Sequence, residues 1–352
     1  MNSLSKWWNT SSPFEDYEEI NQFCNHNKCE QASDSDWNAL TEELKKCIPL
    51  GYTLNNHTLY VEKSATALID KLFDKYIDDD TLLITSVVEH EAVDNNVIRY
   101  NRENTENHVK LHFVNGIKSI SLEQVKRALF NHKYKRAFIY IIGTQITTGE
   151  ITPQAFYEEL RAYLVNKGIE PIMVIDDVHG MYMVPRDYSI FDYVICTSHA
   201  MIRRYDMGIM WSKTKEEFGV HNPYWLGTYI TLLKKVLSKK DKLECFSQVM
   251  KEEFIKYLHK PYFEYISDSV PHIFSIRVDC PPRYIYTENT WKEFADKEVR
   301  LEIRNPKIDN IFYIRMRGSQ YLTFPEMFEP AIQLVKGLLE KIMLFKEEDE
   351  LE

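Results

Sequence analysis

The chain has 352 residues, 44% of them hydrophobic, enough to bury a full core in one large domain with a smaller one beside it. Lys and Arg number 43 against 53 Asp and Glu, and the net charge of -10 lacks the basic footprint that phosphate-backbone binding needs, so nucleic acid is not expected as a partner. No apolar run approaches the ~20 residues of a membrane span, and Met1 to Pro13 lack the basic start and apolar middle of a signal peptide, so the expectation is a soluble cytoplasmic protein with no membrane partner.

The start is polar and Trp-rich. Cys24 and Cys29 flank His26 there, but no second ligand pair follows at finger spacing. Reduced, structural thiols are the plainer reading of all six cysteines, and no metal is expected. Asp34 to Ile48 reads as an amphipathic helix opened by capping Ser and Asp residues. From there short apolar runs alternate with helical patterns. Strands are predicted at Thr81 to Thr85, Lys110 to Val114, Ala137 to Ile142, Ile172 to Ile175, Tyr193 to Cys196 and Gly208 to Trp211. The intervening helices include Ser121 to Phe130, opened by the capping box SLEQ, and Pro153 to Asn166, with Thr152 before a first-position proline.

Nearly continuous apolar strands separated by helices predict an α/β fold, a mostly parallel sheet between helices. Beyond about Phe218 the pattern turns to long helices, Tyr224 to Leu237 and Lys242 to Leu258. Strands near His272 to Val278 and Ile311 to Met316 and a helix from about Pro325 to Phe345 follow, a smaller α+β region. The expected organisation is an N-terminal segment and helix over 1–48, a large domain over 49–218, a smaller one over 219–345 and a solvated acidic tail over 346–352.

In such sheets ligands sit beyond the carboxyl ends of the strands. Four successive strands end in polar groups: Ser86 to His90, Gly143 to Gly149, Asp176 with Asp177 and His179, and Thr197 with Ser198 and His199. One such residue is usually a cap; four in series point to a site.

These residues carry a resemblance. TSVVEHEAV (85–93) is similar to the Glu-His-x-Ala-Val segment of class V aminotransferases and cysteine desulfurases, VIDDVHGMYM (174–183) resembles their Asp-x-x-His/Gln strand end, and TSHAMIRRYDMGIMW (197–211) resembles Ser-Gly-His-Lys followed by eleven residues ending in Gly-Ile-x-Tyr. The chain is thereby identified as resembling the fold-type I pyridoxal-phosphate (PLP) proteins, of aspartate-aminotransferase-like fold, with interruptions from about Ser64 to Thr323. The resemblance implies His90 stacked on the cofactor ring, Asp176 paired with the ring nitrogen, His179 near the ring hydroxyl and Thr197 on the phosphate, with His199 beside them. Ser64 and Thr66, at a helix start similar to the family's Gly-x-Thr turn, are implied as phosphate contacts too. Arg315, followed by Tyr321 and Thr323 at the family's offsets, is implied as the clamp on the substrate carboxylate, with Arg317 as a competitor. Gly143-Thr-Gln145 with Thr147, Thr148 and Gly149, and MYMVP after His179, resemble group II decarboxylases instead, which implies Gln145 at the cofactor. No counterpart of the desulfurase cysteine loop is found, which disfavours that activity.

In this register Ala200 stands where the family has its Schiff-base lysine. A methyl group can neither hold the cofactor covalently nor move a proton. Three explanations stand: an engineered replacement, a naturally lysine-less protein, or an accidental match. The function the resemblance implies is a PLP-dependent aminotransferase or lyase acting on an amino acid or related amine, inactive or stalled with Ala200. The cofactor would be held alone or already joined to substrate, in a homodimer with sites at its interface. A decarboxylase and a non-enzymatic binding or scaffold protein are the alternatives.

Overall fold

The computed structural model describes residues 34–349 apart from 104, 112, 115–118, 121, 130–133, 146, 148, 203–206, 267–269, 281–287, 298 and 304–310. The Cys24, His26 and Cys29 cluster, Ser121 and Thr148 lie outside those residues. They form two compact units, one of 34–145 with 151–234, the other of 146–150 with 235–349.

The first unit opens with α1 (Asp34–Lys46), β1 (Thr58–Glu62), α2 (Ala65–Tyr76), β2 (Thr81–Ser86), α3 (Glu91–Arg99) and β3 (His108–Leu111). A two-stranded piece, β4 (Phe113–Val114) and β5 (Ser119–Ile120), precedes α4 (Glu123–Ala128), β6 (Arg136–Ile142) and α5 (Gln154–Asn166). Then come β7 (Glu170–Asp176), β8 (Tyr193–Thr197), β9 (Gly208–Ser212) and α6 (Pro223–Leu237), whose last turn passes into the second unit.

Seven strands make one sheet in the order β1-β9-β8-β7-β6-β2-β3. β3, β2, β6, β7 and β8 run parallel, while β9 is antiparallel to β8 and β1 antiparallel to β9. The sheet is buried because both its faces are covered. Phe138, Tyr140, Val174, Tyr193, Ile195 and Met210 pack on one side against Leu68, Leu72 and Phe73 of α2 and Val93 and Val97 of α3. On α5, Phe156, Tyr157, Leu160 and Leu164 are buried. Strands covered on both faces lose the period-two alternation and read as continuous apolar runs. The expected α/β architecture is the one observed.

Several details differ from expectation. The single strand expected over Lys110 to Val114 is divided between β3 in the large sheet and β4 in the separate two-stranded piece, and the helix expected over Lys242 to Leu258 is two helices, Lys240–Glu253 and Ile255–Leu258. Pro153 caps α5 from outside instead of occupying its first turn, and the Thr152 hydroxyl donates to the Ile142 carbonyl at 2.7 Å. β1 went unpredicted, because TLYVE offers only three apolar residues in a row, Leu59 to Val61, and its pairing with β9 is what makes it a strand of this sheet.

The second unit holds α7 (Lys240–Glu253), α8 (Ile255–Leu258), β10 (Phe263–Tyr265), β11 (Ile273–Asp279), α9 (Glu288–Asp296), β12 (Arg300–Ile303), β13 (Ile311–Arg317), α10 (Gly318–Thr323) and α11 (Phe328–Asp349). Its sheet is antiparallel, in the order β10-β11-β13-β12. The Ser275 hydroxyl on β11 donates to the Thr147 carbonyl at 2.6 Å, which ties the short 146–150 segment into this unit. Among the described residues no helix is long and apolar enough to cross a membrane.

Candidate cofactor site

The topology delivers a row of polar groups to one edge of the large sheet. β2, β6, β7 and β8 are parallel neighbours, so the residues at or just beyond their carboxyl ends emerge along a single edge: His90, Gln145, Asp176 with His179, and Thr197 with His199 and Ala200. β9 returns antiparallel with Gly208 opposite Thr197, and β1 ends with Glu62 opposite Gly208. Ser64 and Thr66, at the head of α2, therefore reach the same edge. Nine of the residues singled out in the sequence are gathered here by strand order alone.

Asp176 is the last residue of β7 and is 4% exposed. Its Oδ2 accepts from the Tyr140 hydroxyl at 2.8 Å, and its Oδ1 accepts from the Val178 amide at 3.2 Å. The register explains the first bond. Tyr140 pairs with Val174, so Asp176 lies two residues ahead on the same face, within reach of a long side chain. Burial pushes the Asp176 carboxyl up, and the donors Tyr140 and Val178, with His90 nearby, pull it back, while Asp177 adds to the rise. A carboxylate offers about four lone-pair sites, so two donors leave room for another.

The opposite end of the row is shaped for an anion. Ser64 caps α2, its hydroxyl accepting from the Ala67 amide at 3.2 Å. The amides of Ala65 and Thr66 belong to the first turn of a 12-residue helix, where the dipole favours negative charge. A Cβ at position 208 would sit 2.3 Å from the Ser64 carbonyl carbon and 2.6 Å from the Ala65 nitrogen. Only glycine lets β9 approach the helix head so closely. Thr197 caps the turn Ser198–Ala200 by accepting from the His199 amide at 3.4 Å and donates to the Met207 carbonyl at 3.2 Å.

His90 caps α3 with Nδ1, which accepts from the Ala92 amide at 3.1 Å, and its side chain is exposed. His179, Gln145 and Ala200 are buried. Lys213 follows the far end of β9 and donates to the Ser189 carbonyl, at the opposite edge of the sheet from Ala200. Arg315 belongs to the second unit, where it is buried on β13 with Ser275 and Arg300 as its cross-strand partners. Arg317 shares its face two residues on.

Three residues at this edge were not singled out in the sequence. Tyr140 holds Asp176. Glu89, beside His90, is buried at 3% exposure and accepts from the Ser86 amide and the Ile142 amide, each at 3.2 Å. Arg186 is sunk behind the row: Nε donates to Asp177 Oδ2 at 3.2 Å, Nη1 to the Thr152 carbonyl at 3.1 Å and Nη2 to the Gly143 carbonyl at 3.0 Å. Asp177 also accepts from Tyr188 at 2.7 Å and Thr144 at 3.2 Å. A lone hydroxyl inside the apolar run AFIYII was the available signal for Tyr140, since a buried phenol needs a partner. Among the described residues no group of three or more His, Cys, Asp or Glu could hold a metal ion.

A mostly parallel seven-stranded sheet flanked by helices, with a smaller antiparallel unit, is the architecture of fold type I, the aspartate-aminotransferase-like fold. No family model and no curated protein sequence matches the chain. Solved structures do. The PLP-bound C-S lyase from Staphylococcus hominis is 12% identical, with a TM-score of 0.66 over 92% of this chain and 90% of that one. A NifS-like protein from Rickettsia africae ESF-5 is 12% identical, with a TM-score of 0.64 over 92% and 96%. A lysine-to-alanine variant of serine palmitoyltransferase from S. paucimobilis, with bound PLP-myriocin aldimine, is 12% identical, with a TM-score of 0.60 over 95% and 86%.

Proposed function

We propose that the edge row binds pyridoxal 5′-phosphate. With lysine at position 200 the protein would be a lyase or aminotransferase acting at the α-carbon of an amino acid or related amine. The single observation that carries the reading is Asp176: a buried carboxyl at a strand end, hydrogen-bonded on both oxygens and still short of donors, suits a protonated ring nitrogen. The glycine-made contact between β9 and the head of α2 suits the phosphate. Once bound, the cofactor supplies a positively charged ring that draws electrons from the substrate α-carbon.

The chain's own groups do the rest. Asp176 keeps the proton on the ring nitrogen by lying next to it as an anion. His90, exposed at the head of α3, covers a ring face. Ser64, Thr66 and Thr197 take the phosphate with the first amides of α2, while Gln145, His179 and His199 line the ring's polar rim. Arg315, on β13 of the second unit, keeps the guanidinium that the resemblance implies as a carboxylate clamp, a group that forks two parallel bonds to one carboxylate. Ala200 removes the covalent anchor and the proton carrier, so the chain as written holds cofactor or adduct without turnover. A neighbour that keeps its bound adduct in a lysine-to-alanine variant supports this.

A visible-absorbance titration with PLP tests the reading on the protein, on Ala200→Lys and on Asp176→Ala. The lysine variant is expected to gain an imine band that amino acids perturb. Asp176→Ala is expected to bind roughly 30-fold more weakly or worse, the cost of truncating one partner of a buried charged pair. Full PLP affinity in Asp176→Ala, or no binding of PLP or a preformed PLP–amino-acid adduct by any of the three, overturns it.

A further inference from the structure

Glu89 is more than a neighbour of His90. Three donors converge on its Oε1: the Ser86 amide, the Ser86 hydroxyl and the Ile142 amide. Its Oε2 is buried and has no hydrogen-bond partner. An ionised carboxylate spreads its charge over both oxygens and needs donors at both when it is taken out of water. Donors crowded on one oxygen with none on the other fit a carboxylic acid, Oε1 as carbonyl and Oε2 as hydroxyl, better than a carboxylate, because an unpaired buried hydroxyl costs less than an unpaired buried charge.

The position of Glu89 supplies the second observation. Ile142, whose amide it holds, is the strand partner of Asp176, so the Glu89 head is docked on the rung of the sheet that carries Asp176. Two buried carboxyls so placed do not both ionise without a cation between them. Asp176 has a donor on each oxygen and Glu89 on one only, so the charge falls to Asp176 and the proton to Glu89. Burial is the largest cause that raises Glu89, to about 8, and Asp176 adds to it. The titratable groups around it are Asp176 on β7, Tyr140 on β6, Tyr157 on α5 and His90 next along its own chain.

We propose that Glu89 is the proton-holding partner of Asp176: neutral before a cation is bound, it releases its Oε2 proton when a protonated ring nitrogen settles against Asp176. The O–H bond breaks, the electron pair stays on Oε2 and the proton passes to solvent; nothing is oxidised or reduced. The pair goes from one negative charge to two as the positive charge arrives. Binding is therefore linked to proton release and tightens as pH rises through neutrality. Glu89 acts through Asp176 as a positioning residue. The inference rests on the reading of Asp176 above.

Glu89→Gln keeps a neutral head of similar shape and separates the two ideas. In urea denaturation without cofactor, the folded carboxyl holds a proton that the unfolded one sheds above its ordinary value of 4.5. The wild type should thus lose stability relative to Glu89→Gln as pH rises towards about 8, and the gap between their midpoints should widen. A flat gap overturns the proposal whether or not a cofactor binds. In calorimetry with PLP near neutral pH, in two buffers of different ionisation heat, the wild type should release about one proton more per PLP bound than Glu89→Gln. Equal release overturns the coupling. Absence of PLP binding in both proteins overturns the Asp176 reading and with it the release step, and the urea series tells that result apart from an ionised Glu89.

Discussion

The two edges of the large sheet bury carboxyl groups to opposite effect. At the edge away from the site, Glu216 is almost fully enclosed. Burial works to raise it, but Lys75 at 2.7 Å, the Thr214 hydroxyl and the Tyr193 hydroxyl at 2.7 Å outweigh that and lower it. The Ser212 hydroxyl adds a further donor at 3.1 Å. At the site edge burial wins instead, and Glu89 and Asp176 are both raised. The supply of donors differs: Glu216 has a lysine and three hydroxyls, whereas Asp176 has one hydroxyl and one amide and Glu89 has donors on one oxygen only. A carboxyl whose partners are complete is part of the scaffold, whereas Asp176, with one donor on each oxygen, keeps acceptor capacity for a further donor.

Substitutions can break or sharpen that contrast. The largest effect is expected at Arg186→Met, which leaves Asp177 buried without its cation and frees the Gly143 and Thr152 carbonyls. We expect a loss of about 3–5 kcal/mol, read as a lower denaturation midpoint, with PLP binding lost along with the fold. Glu216→Ala should cost less, about 2 kcal/mol, because the Lys75 side chain is 36% exposed and water can take over its charge. If Glu216 belongs to the scaffold only, PLP affinity at moderate temperature will be unchanged in this variant; a large drop would erase the contrast between the edges. Tyr140→Phe is the mildest, about 1 kcal/mol in stability. It removes one donor from Asp176 and should raise that carboxyl further, which a shift of the PLP pH–affinity profile to higher pH would register.

The sequence revealed most where a residue's role is local. β2, β6, β7, β8 and β9 were legible because burial on both faces writes itself as an apolar run, and the polar residues that end four of them were legible as strand ends. What depends on register was hidden. Tyr140 and Asp176 are 36 positions apart and meet only because β6 and β7 align Tyr140 with Val174. Glu89 stood in plain view beside His90, yet its importance comes from the Ile142 amide, 53 positions away. β1 was missed for the same reason, since its place depends on pairing with β9. Ala200 is the converse case: the aligned motif exposed it, while the structure shows only a small buried side chain in a tight turn.

Gly208 carries a consequence for how related chains diverge. Because backbone meets backbone at that point, a side chain there would wedge β9 from the head of α2 and move the first amides of the helix outward. Across relatives, the residue aligned with position 208 therefore works as a gauge. Glycine there reports a strand and helix head as close as these, the spacing the proposed phosphate site relies on, and anything larger reports a helix that has moved away.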